Sequence, residues 1–120
     1  MRIWTKEKVA EQYVASCAII QQATETGEYR KSNRERAKLI SAYKWLEKHP
    51  EEAEEVLGAL LCHDSPVVQT KAAAHCLGLA IRTADALDVL ERVSGRNDIW
   101  GFNAEMVLKV YAKNGQLKVY

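Results

Sequence analysis

Apolar residues recur three and four positions apart along nearly all of the 120-residue chain. That spacing gathers them on one face of an α-helix and does not fit the two-residue alternation of a half-buried strand. Val9, Tyr13, Cys17 and Ile20 mark helix one, from Thr5 to about Thr24, and Gly27 ends it. Ser32 and Glu35 form a capping-box pattern that predicts the start of helix two, whose apolar face is Leu39, Tyr43 and Leu46. His49-Pro50 stops it, since the residue before proline avoids the α region. Helix three runs from Glu51 to Leu61, with an acidic first turn that complements the positive end of its dipole. Ser65 caps helix four, Pro66 takes its first position, and the helix runs to about Ile81. Thr83 caps helix five, with Ala86, Leu87, Leu90 and Val93 inward. Helix six spans about Gly101 to Lys113 and stops at Asn114-Gly115.

Short turns between six helices predict an all-α fold of three stacked antiparallel helical hairpins, a HEAT-like short α-solenoid forming one domain over residues 1–120. A hydrophobic fraction of 48% with only two prolines suits a fully folded chain. The run Val56 to Gly78, with Asp64, Pro66, Val67, Val68 and Ala72 to Ala74 at its turn and second helix, resembles the core of a HEAT repeat. Gln69 stands where that pattern usually has Arg, so the salt bridge of long solenoids is not expected. The stretch Gly101-Phe102-Asn103-Ala104-Glu105-Met106, followed by Gly115-Gln116-Leu117, is similar to a bacterial HEAT-like domain family of unknown function. The resemblance covers residues 35–118. It implies a small standalone protein, loosely akin to immunity proteins of toxin systems, and carries over no catalytic residue.

Net charge is only +1, which predicts no overall steering toward nucleic acid or membrane. Its distribution is uneven. Residues 30–48 hold seven basic and two acidic side chains, whereas helix three holds four Glu and no base. Arg34, Lys38, Ser41, Trp45 and Lys48 share one helical face, opposite Leu39, Tyr43 and Leu46. Lys71, His75 and Arg82 share a face of helix four. Lys109 and Lys113 do so on helix six, with Phe102 and Met106 at the edge. Second helices line the concave side of such stacks. These residues are therefore the candidate partner-binding set, a basic groove for an acidic surface, with Trp45 as an aromatic anchor amid cations.

Other chemistry finds less support. Cys62-His63 and His75-Cys76 lack zinc-ligand spacing, so no metal and no cofactor are expected. Three cysteines at unrelated spacings suit reduced thiols in a cytoplasmic setting. The N-terminal residues lack the apolar run of a signal peptide, and no run is long enough to span a bilayer. No phosphate loop or nucleophile motif occurs. Glu105 is expected to pair with Lys109 at i, i+4. The expectation is thus a non-enzymatic protein-binding module, of immunity or inhibitor type where the family resemblance holds. A phosphate-cradling nucleic-acid binder is the alternative. A glycosylase-like enzyme built on Glu105, Phe102 and Trp100 is a distant third. Oligomeric state is open, with Trp4 and Val119-Tyr120 as candidate end caps.

Overall fold

Thr5 opens the first helix as its side chain accepts the Lys8 N–H at 3.2 Å. Helix α1 (Lys6–Thr26) ends where Gly27 turns left-handed at φ 77°, a conformation that side chains with a Cβ resist. The computed structural model describes residues 4–117 and contains six helices: α1, α2 (Tyr29–Lys48), α3 (Pro50–Leu61), α4 (Pro66–Leu79), α5 (Thr83–Ser94) and α6 (Ile99–Asn114). No strand occurs among the described residues. Val119-Tyr120 lies outside them. The chain divides into two compact units, Met1–Val56 and Leu57–Tyr120, with the division inside α3.

In the first unit α1 packs on α2. The stripe Val9, Tyr13, Cys17, Ile20 is buried, as are Leu39, Tyr43 and Leu46 on α2. Each large apolar side chain so buried contributes about 1.5–3 kcal/mol. The predicted capping box is not formed. Helix α2 begins four residues early, at Tyr29, so Ser32 and Glu35 lie inside it and are buried. Glu28 precedes the helix without a side-chain cap.

In the second unit α4 packs on α5 and α6, and α5 on α6. Small residues permit this: Ala72, Ala73, Ala86 and Ala104 are fully buried. Val89, not Leu87, completes the buried face of α5. Ser65 caps α4 as expected, accepting from the Val68 N–H at 3.4 Å. Helix α4 stops at Leu79, with Ala80 left-handed at φ 57°. Arg82, not Thr83, takes the cap position of α5, also left-handed at φ 45°. Helix α6 starts two residues before Gly101, because Asp98 caps it by accepting the Gly101 N–H at 3.0 Å. Any Cβ on residue 101 would overlap the Arg96 carbonyl, so only glycine lets α6 close on the preceding loop.

Candidate functional site

The α1–α2 pair of the first unit builds a cleft of about 300 Å³ lined by Ile19, Gln22, Ala23, Glu28, Lys31, Arg34, Glu35 and Lys38. Helical spacing on α2 supplies its cations; α1 supplies its apolar floor through Ile19 and Ala23. Lys31 bridges Glu28 at 2.6 Å, and Lys38 bridges Glu35 at 2.8 Å. Arg34 is exposed and has no ion pair among the described residues. The cleft therefore presents one uncompensated guanidinium beside aliphatic surface. The Lys31 ammonium, hydrogen-bonded to Glu28, holds the Glu28 carboxyl below the usual carboxylate range, with the Thr26 hydroxyl adding to it.

Behind the cleft lies a polar relay that the sequence did not announce. Gln12 Nε2 donates to Ser16 Oγ at 2.7 Å, and Ser16 Oγ donates to Glu35 Oε1 at 3.1 Å. Ser16 is fully buried and Glu35 is 5% exposed. The relay fixes the Glu35 carboxylate, which in turn holds Lys38 at the rim. Its only sequence signal is the Glu35–Lys38 spacing of three, which the capping-box reading masked.

Trp45 does not line the cleft that holds Arg34 and Lys38. It is half-buried and lines a separate opening of about 380 Å³ with Thr5, Lys6, Glu51, Glu52 and Glu55. Its indole stacks on His49, ring centroids 3.9 Å apart and planes 14° from parallel. The His49 Nδ1–H donates to the Trp45 carbonyl at 2.7 Å, which locks the pair. Lys6 bridges Glu55 at 3.1 Å, and that hydrogen bond raises the Lys6 ammonium above its usual value. The aromatic clue thus belongs to an acid-rimmed pocket. The expected basic face on α2 narrows to Arg34, Lys38, Ser41 and Lys48, all exposed, with the Ser41 hydroxyl donating to the Ala37 carbonyl at 3.4 Å.

In the second unit His75 is withdrawn from the binding set: it is 0% exposed, walled in beneath α4. Burial, and then the charge of Lys71, push its imidazole well below its ordinary value, so it is neutral near pH 7. The apolar partners of α4 occupy more of its circumference than periodicity suggested. Lys71 is half-buried and Lys113 exposed; Lys109 is exposed and bridges Glu105 at 3.1 Å, as the spacing predicted. Arg82 lies over Gly58, where an added Cβ would come within 2.7 Å of its guanidinium. It also bridges Asp85 at 3.2 Å and lines an opening of about 630 Å³ with Cys62, His63, Asp64 and Arg92. There the Ser65 N–H donates to His63 Nδ1 at 3.0 Å, orienting the ring for the turn.

Cys17 and Cys76 are buried and Cys62 exposed. Among the described residues, no group of three or more His, Cys, Asp or Glu is placed to hold a metal, and no helix is long and apolar enough to cross a membrane. Trp100 is buried while Phe102 is exposed, so the aromatic pair weighed with Glu105 does not form one stacking platform. Comparison with known protein families, with curated proteins and with solved structures returned no match.

Proposed function

We propose that the chain is a non-enzymatic protein-binding module of divergent HEAT-like type that takes an acidic side chain of its partner into the α1–α2 cleft. The observation that carries this reading is Arg34, exposed in the cleft with no ion pair among the described residues while both neighbouring lysines are neutralised by Glu28 and Glu35. A guanidinium offers two parallel N–H donors to a carboxylate, and such bidentate pairs are about twice as strong as neutral hydrogen bonds. Ile19, 37% exposed beside it, suits an apolar neighbour on the partner peptide. An inhibitor that occludes an acidic surface, as an immunity-type protein does, is the specific form that fits this chemistry, and three free thiols suit a reducing cytoplasm.

The test uses backbone amide and Arg side-chain NMR on the full chain. Titration with a glutamate-rich peptide should shift signals of Ile19, Lys31, Arg34 and Lys38. A DNA duplex of equal charge should shift them less at about 0.15 M salt, where phosphate-driven binding weakens. Stronger binding of the duplex through the same residues replaces the protein reading with the nucleic-acid one. No shift at this cleft with either probe overturns both.

A further inference from the structure

Helix α6 buries only Trp100, Gly101 and Ala104 along 16 residues. Its outer face carries Ile99, Phe102, Met106 and Val110, exposed by 51, 57, 41 and 40%. Steps of three, four and four align them in one stripe. They leave about 400 Å² of apolar surface in one patch, the size that on a monomer is often functional.

Charge along that stripe says what covers it. Asp98 caps the N-terminal end with its carboxylate bridged to Arg96 at 2.7 Å, Lys113 continues the stripe at the C-terminal end, and Glu105 and Lys109 run along one flank. We propose that this face binds a second copy of the chain, the two α6 helices antiparallel and crossing at Met106. In that register Phe102 faces Val110 of the other copy, and Lys113 falls opposite Ile99, away from the other copy's Lys113. The two-fold axis sets Glu105 of each copy against Lys109 of the other, two equivalent ion pairs on top of those within each chain. A parallel pair would stack Lys113 on Lys113, and like charges directly opposed are destabilising. The proposal stands apart from the α1–α2 cleft and from what binds there.

Two helices about 24 Å long bury less than the roughly 1,200 Å² of a standard interface, so the contact is transient. Sedimentation equilibrium of the full chain should show the 13.5 kDa monomer give way to dimer between about 10 µM and 1 mM. Met106→Lys, an exposed change, should abolish the dimer and leave the circular dichroism unaltered. Glu105→Lys and Lys109→Glu should each weaken self-association by about ten-fold. Mixed one to one, they should associate within about two-fold of wild type, since each then meets its opposite charge on the other chain. Restoration of an i, i+4 pair within one chain cannot produce that result. A chain that stays monomeric to about 1 mM, or sediments as open-ended aggregate, overturns the proposal. Dimer that persists in Met106→Lys, or single variants that do not recover on mixing, overturns the antiparallel α6 contact.

Discussion

The two units bury different things and expose different things. The first is built from long helices of 21 and 20 residues, keeps the Ser16–Glu35 relay inside, and presents an unneutralised cation. The second is built from shorter helices drawn together by alanine and Gly101, buries a neutral histidine, and presents an apolar stripe. One surface therefore recognises by charge, which confers direction and salt sensitivity. The other recognises by area removed from water, which is non-directional until the flanking charges set a register. A net charge of +1 hides this division.

Four single substitutions and one double change sharpen the comparison, with amide exchange reporting each unit separately. Gly101→Ala should have the largest effect. Its Cβ would meet backbone at Arg96, which yields only if α6 moves, so about 2–3 kcal/mol should be lost, with protection falling in 57–117 before 4–56. Glu35→Ala should cost about 2 kcal/mol in the first unit, because it strips the buried Ser16 hydroxyl of its acceptor. The double change Ser16→Ala with Glu35→Met should recover most of that loss, as the buried pair then goes together and half-buried Gln12 can turn to solvent. Full loss in the double variant would show that the relay matters for shape and not for hydrogen bonding.

Acid should act on the second unit through His75. Its native imidazole is held below the ordinary value, so the unfolded chain takes up a proton first as pH falls. Stability from this group is complete above the unfolded value near 6.5. It then drops by up to about 1.4 kcal/mol per pH unit as pH falls toward the native value. Urea melts from pH 7.5 to 5.0 should show that slope, and a His75→Gln variant should flatten it. Thr70→Val should be the smallest effect and of opposite sign. Thr70 Oγ1 is buried with no hydrogen-bond partner among the described residues, so removing it should stabilise by about 1 kcal/mol or less. A destabilised Thr70→Val would mean that the hydroxyl holds a water.

Much of the scaffold was legible because it rests on local rules. The stripe Val9–Tyr13–Cys17–Ile20, the Ser65-Pro66 start of α4 and the Gly27 stop all appear as the periodicity and capping chemistry predicted. Errors arose where one pattern served two purposes. Ser32 and Glu35 match a capping box, yet their spacing on α2 equally turns them inward, and Glu35 meets Ser16, 19 residues away. Asp98 escaped notice as a cap because the motif beginning at Gly101 suggested a later start. His75 shares a helical face with Lys71, but which faces of α4 are covered depends on α5 and α6, and one helix's sequence does not encode that. Trp45 looked basic in context because its chain neighbours are Lys44 and Lys48. Its spatial neighbours come from α1 and α3 and are mostly acids.

The role of the α1–α2 cleft is tested most directly by calorimetric titration of a glutamate-rich peptide into the wild-type chain and into Arg34→Ala. Arg34 is exposed and bears no ion pair among the described residues, so its removal leaves the fold intact. A loss of about ten-fold in affinity or more, with wild-type binding that weakens as salt rises, is the expected result. Equal affinity in the two proteins would contradict it.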